Sequence, residues 1–166
     1  MKTSNRKTRT LLTAMTAAAA LTAFACGHDE ESVDGEICEH HISGPSQAIT
    51  AATSSGAASL PDAAVEHTRV DIALPGSGSG FVAFEVGEAG EYIFALDPAV
   101  PLEVHDASGA KVDIEKTENG STECTEVKVK HTLDLAVGRH TLRFGPSTEM
   151  EVRLVHEEAG EDHDHD

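Results

Sequence analysis

The chain has 166 residues, with 29 Asp and Glu against 12 Lys and Arg, and a formal net charge of −17 with histidine neutral. Such a chain repels phosphate, which argues against nucleic-acid binding, where cations must displace backbone counterions, and against adhesion of the domain to anionic headgroups. Divalent cations and basic partners are its natural attraction, while the absence of Trp and a single Tyr disfavour carbohydrate recognition on aromatic platforms.

The opening MKTSNRKTRT carries Lys2, Arg6, Lys7 and Arg9 and no acid, and residues 11–25, LLTAMTAAAALTAFA, carry no charge. A cationic stretch followed by a short apolar run is the pattern of an export signal. A membrane-spanning helix needs about 20 apolar residues, more than this run supplies, so residues 1–25 are expected to be a cleaved signal peptide. Ala23 and Ala25 lead into Cys26. The AFAC sequence there resembles the lipobox of bacterial lipoproteins, although Ala23 and Phe24 replace the Leu and small residue most often found. The resemblance implies that Cys26 becomes a lipid-bearing first residue, with enough acyl chains for a stable hold. The expected location is then the cell envelope, in the outer membrane facing the periplasm or the cell surface. Plain secretion with a free Cys26 is the alternative. Removing residues 1–25 takes away four cations and no acid, leaving a formal charge of −21.

With Cys26 acylated, Cys38 and Cys124 are an even pair in a compartment that permits disulfides. A bridge between them is expected to pin the Cys38 segment onto the domain. The alternatives are free thiols, or metal ligation through Cys38 with His40 and His41. Residues 26–66 otherwise read as the anchor cysteine, an acidic tether over 27–36 and an Ala/Ser-rich linker or loosely packed arm.

From His67 onward, short alternating apolar runs are separated by turn residues. Val70, Ile72 and Leu74 are followed by PGSGSG, then Val82, Phe84 and Val86, a GEAGE turn, and Tyr92, Phe94 and Leu96. Leu102 and Val104, Val112 and Ile114, Val127 and Val129, Leu133 and Leu135, Leu142 and Phe144, and finally Met150, Val152 and Leu154 complete the series. Period-two patterning with turns about every ten residues predicts an all-β fold. The expected architecture is a single antiparallel β-sandwich over 67–156, jelly-roll-like, with about eight or nine short strands between a disordered tether and a disordered tail.

Gly90, Tyr92 and Phe94, then Leu102, Val104, Asp106 and Gly109, then Gly138 and Leu142 give residues 80–155 a pattern similar to the pre-peptidase C-terminal type of bacterial β-sandwich. That resemblance implies an accessory, non-catalytic module of exported proteins. His140 stands where the family usually has an aromatic residue, and the Cys124 loop is outside its pattern.

The acidic tail, 157–166, ends in EDHDHD. His156, Asp162, His163, Asp164, His165 and Asp166 offer imidazole and carboxylate ligands suited to Zn²⁺, Ni²⁺ or Cu²⁺. His40 and His41 are a weaker set, because adjacent side chains on an extended segment point opposite ways. His67, His105, His131 and His140 read as surface or edge residues of strands. No G-x-S-x-G elbow, H-E-x-x-H helix, P-loop or dinucleotide fingerprint occurs, so no enzyme is expected. The expected role is a non-catalytic, membrane-anchored lipoprotein that captures divalent transition metal for a transport or envelope partner. The alternative is a structural or partner-binding lipoprotein without metal.

Overall fold

The structure, a computed structural model, describes residues 32–76 and 78–159. Cys26 with its signal peptide, and Asp162, His163, Asp164, His165 and Asp166 of the tail, lie outside the described residues.

Among the described residues one helix, α1 (Val33–Ile42), precedes ten strands: β1 (Ser46–Thr50), β2 (Arg69–Ala73), β3 (Gly80–Val86), β4 (Gly90–Asp97), β5 (Leu102–His105), β6 (Lys111–Val112), β7 (Lys116–Glu118), β8 (Val129–Leu135), β9 (Gly138–Phe144) and β10 (Glu151–Glu158). They form a six-stranded sheet, β1-β2-β10-β4-β8-β7, and a four-stranded sheet, β3-β9-β5-β6. The antiparallel pairs β2·β10, β3·β9, β4·β8 and β5·β6 are nested in sequence. One long hairpin rolled over itself into two sheets produces that order, the jelly-roll arrangement. The all-β sandwich read from the alternation is therefore the fold.

Alternation places one face of each sheet inward. Val70, Ile72, Val82, Phe84, Phe94, Leu96, Leu133, Leu142, Phe144 and Leu154 are almost wholly removed from water between the sheets. Each such side chain contributes about 1.5–3 kcal/mol by burial. Met150, placed in the same alternating series, is exposed, because it lies in the turn before β10 begins at Glu151.

Three features differ from the sequence expectation. The parallel pairing of β1 with β2 interrupts an otherwise antiparallel sandwich. The Ala/Ser-rich stretch expected as a loose arm is packed: Ala51 and Ala63 are buried, and Ala52 and Asp62 make bridges to Phe81 and Ala83 on the outer edge of β3. The tether expected over 27–36 already contains the first turn of α1, which is capped by Ser32 accepting from the Gly35 amide at 3.1 Å. Asp34 and Glu36 sit in that first turn, where negative charge favours the helix dipole.

Helix α1 covers the outer face of the six-stranded sheet. Ile37 and Cys38 pack with Ala95, Val127 and Val155, and Val33, Ile93 and Cys124 flank them. The disulfide Cys38–Cys124 joins helix to loop, with Cα atoms 5.8 Å apart, as expected for the even cysteine pair. Asp34 adds a polar fastening: it accepts from Ser121 Oγ at 2.7 Å and from the Thr122 amide at 3.2 Å, and pairs with Lys130 Nζ at 2.6 Å.

Candidate metal centre

Docking of α1 turns a second helix face, four residues apart in sequence, toward the end of β10. Glu36 and His40 share that face because a helix repeats every 3.6 residues. Glu157 comes from β10, and His67 from the turn leading into β2. The four offer one ligand atom each, and all four atoms lie within 4.8 Å of one another. His40 Nδ1 is 2.7 Å from Glu157 Oε1, His67 Nδ1 is 3.3 Å from Glu36 Oε1, and His67 Nδ1 is 3.9 Å from Glu157 Oε2. The two imidazole rings meet edge to face with centroids 5.2 Å apart.

His67 takes a left-handed backbone conformation, φ +50°. Histidine tolerates that region better than most residues, and strained backbone gathers at functional sites. Here the conformation accompanies a ring placed between two carboxylates.

The cluster is graded in burial. The Glu157 and His40 side chains are 7 % and 14 % exposed, while Glu36 is 23 % and His67 49 % exposed, so the site opens to water on the His67 side. Burial pushes the Glu157 carboxyl above the usual range; the His40 hydrogen bond opposes that rise and the Glu36 charge adds to it. The 2.7 Å hydrogen bond between His40 and Glu157 offsets part of the cost of burying the carboxylate. A divalent cation can take its place.

Two carboxylates and two neutral imidazoles carry a formal charge of −2, which a divalent ion balances. Nitrogen and oxygen ligands suit Zn²⁺, and imidazole also suits Ni²⁺ and Cu²⁺. Tetrahedral ligation at about 2.0–2.1 Å puts neighbouring ligand atoms about 3.4 Å apart.

Of the sequence candidates, His40 is in the cluster. Cys38 is committed to the disulfide. His41 turns under the helix, buried, with Nε2 3.5 Å from the Ala95 carbonyl oxygen, and burial lowers its pKa. His156 points into the core, on the opposite face of β10 from Glu157. Its ring lies edge to face on Phe84 at 4.7 Å, its Nε2 has no hydrogen-bond partner, and burial lowers its pKa to about 4. It therefore faces away from the Glu157 carboxylate and from the metal cluster. The physical reason is that β10 runs through Glu158, paired with Tyr92 at the start of β4, so that 156 and 157 alternate inward and outward.

Glu36, His67 and Glu157 were missed as a set. The signal that could have found the first was the four-residue interval from Glu36 to His40, legible only once a helix is assigned there. A cleft of about 330 Å³, lined in part by His67, His156, Glu157 and Glu158, adjoins the cluster. A second trio, Glu91, Glu115 and Asp134, is exposed and purely acidic; the Asp134 charge raises the Glu115 pKa. No helix among the described residues is long and apolar enough to cross a membrane. Comparison of the chain with known protein families and with characterised proteins finds no match.

Proposed function

We propose that this protein is an exported, lipid-anchored envelope lipoprotein whose β-sandwich captures a divalent transition metal through Glu36, His40, His67 and Glu157. One observation carries the reading: two imidazoles and two carboxylates, delivered by a helix, a turn and a strand, converge within 4.8 Å. The signal-like residues 1–25 and Cys26 support export and anchoring, and the similarity to accessory sandwich modules supports a role without catalysis. Zn²⁺, Ni²⁺ and Cu²⁺ are the candidate ions. The acidic His-bearing tail serves as a loose collector that raises cation concentration near the folded site, and a basic or metal-handling envelope protein is the fitting partner.

Calorimetric titration of the processed protein with each ion tests the proposal. His67→Ala and Glu157→Gln are each expected to weaken binding at least tenfold, since even the outer partners of metal ligands are worth 10–100-fold, whereas removal of residues 160–166 leaves the tight site intact. Binding that survives both substitutions but disappears with the tail would transfer the role to the tail. The direct 2.7 Å contact between His40 and Glu157 favours a second reading, in which the cluster is a polar staple between helix and sheet in a structural lipoprotein. That reading predicts no heat with any of the ions.

A further inference from the structure

Cys38 lies midway between Glu36 and His40, two residues from each, on the buried side of the same short helix that supplies half of the metal cluster. Its disulfide partner, Cys124, sits on the β7–β8 loop between exposed neighbours Glu123 and Thr125. The apolar anchorage of α1 is small. Ile37 is its one fully buried aliphatic side chain, with Val33 only partly covered. Beside Ile37 the helix buries Cys38 itself and the His41 ring, and its remaining fastenings are polar: the Asp34 contacts with Ser121, Thr122 and Lys130, and the Arg69 guanidinium donating to the His41 carbonyl oxygen at 2.9 Å. A ten-residue helix is marginal in water without such tertiary support. By contrast, Glu157 and His67 belong to β10 and the turn before β2, which the sandwich holds without the disulfide.

We infer that the Cys38–Cys124 bond is a redox latch on the metal centre: reduction frees α1, withdraws Glu36 and His40 from Glu157 and His67, and releases the ion. The inference deepens the metal-capture reading and rests on it. The reductant is a dithiol, of the kind carried by thiol–disulfide oxidoreductases. One of its thiolates attacks Cys124 Sγ, on the more exposed side of the bond. The Cys38–Cys124 S–S bond breaks and Cys38 leaves as a thiolate, which takes up a proton. The second thiol of the dithiol, deprotonated, then attacks the mixed disulfide, and Cys124 leaves and is protonated in turn. Two electrons and two protons pass from the dithiol to the protein, and the dithiol becomes a disulfide. Ser121 Oγ, 3.2 Å from Cys38 Sγ, can stabilise the departing thiolate by turning its proton to it from Asp34, to which it donates in the oxidised protein.

The latch acts through the fraction of molecules in which all four ligands are assembled. If the helix is docked in a tenth or less of reduced molecules, apparent affinity falls tenfold or more, because the observed dissociation constant scales inversely with the competent fraction. A site reduced to two ligands, His67 and Glu157, is left in the remainder.

The test measures Zn²⁺ affinity of the oxidised processed protein against Cys38→Ser/Cys124→Ser, a variant that avoids reductants which bind zinc themselves. Hydrogen exchange of the α1 and β10 amides is followed in the same samples. The expected result is at least tenfold weaker binding in the double variant, with α1 amides deprotected and β10 amides still protected. Equal affinity in the two proteins overturns the latch and leaves metal capture standing. No binding by the oxidised protein overturns metal capture and the latch together. Loss of protection in β10 as well as α1 shows general unfolding and overturns the claim that the helix is released alone. In a separate arm, the folded zinc-loaded protein is treated with dithiothreitol and alkylated; a bond that resists reduction while the protein stays folded also overturns the switch.

Discussion

Replacing His156 by Phe is expected to flatten the acid side of the stability profile. The ring is 6 % exposed, lies against Phe84 and Phe94, and has its pKa lowered from 6.5 to about 4 by burial, despite a hydrogen bond to the Val65 backbone that favours the charged form. Its folded pKa lies below its unfolded one, so between about pH 6.5 and 4 the unfolded chain binds the proton that the native protein refuses. Stability is therefore lost as pH falls through that window, and no further loss comes from this group below pH 4. The full shift corresponds to about 3 kcal/mol, and the part lost between pH 7 and pH 5 to about 2 kcal/mol. With a urea dependence of about 1–3 kcal/mol/M, that portion moves the unfolding midpoint by about 1 M. Urea unfolding at pH 7, 6 and 5, with a chelator present, measures it. His156→Phe keeps the packing against Phe84 and removes the titration, so its midpoint is expected to fall less than that of the parent protein. His41 and His131, both of which burial also holds low, add slope of the same sign, and Glu157, which burial holds high, opposes it. Parallel falls in the two proteins would refute the assignment of the acid sensitivity to His156.

Phe94→Ala, at a fully buried position between the sheets, is expected to cost about 3–5 kcal/mol by lost transfer and cavity formation, read as a lower midpoint in urea. Asp34→Asn removes the carboxylate that pairs with Lys130 and accepts from Ser121 and Thr122, and is expected to cost about 1–2 kcal/mol at pH 7. Burial alone would raise the Asp34 pKa, but the Lys130 and Ser121 contacts overcome it and hold the group below the ordinary 3.8. Its contribution is thus present above that value and disappears as pH falls through the lowered one, which carbon-detected titration of Asp34 measures directly.

The sandwich was legible because its information is local. Val82, Phe84 and Val86, or Leu142 and Phe144, alternate so regularly that only a half-buried strand explains them, and the Gly- and Pro-bearing turns between runs mark the reversals. Pairing is not local, so the parallel docking of β1 was invisible. Helix α1 was hidden by its charge: Asp34, Glu36 and Glu39 make the segment look solvated, and its buried face amounts to Ile37, Cys38 and His41. A trace of it was present in the sheet. Ile93 and Ala95 on β4, and Val155 on β10, put apolar side chains at outward positions, which a strand needs only when something covers that face. The metal cluster inherited this blindness. Taken as extended, residues 36–41 pair His40 with its neighbours; coiled into a helix, they pair it with Glu36 and bring it to Glu157.

The arm over residues 51–66 also decides how the molecule meets its own copies. Sheet edges with unsatisfied backbone groups are templates for pairing with another chain. Here β3 is covered along one side by the bridges from Ala52 and Asp62. The remaining borders are β1, short and mostly polar, β6, of two residues, and β7, of three residues carrying Lys116 and Glu118. Among the described residues none of these borders presents a long apolar strand that a neighbouring copy could extend.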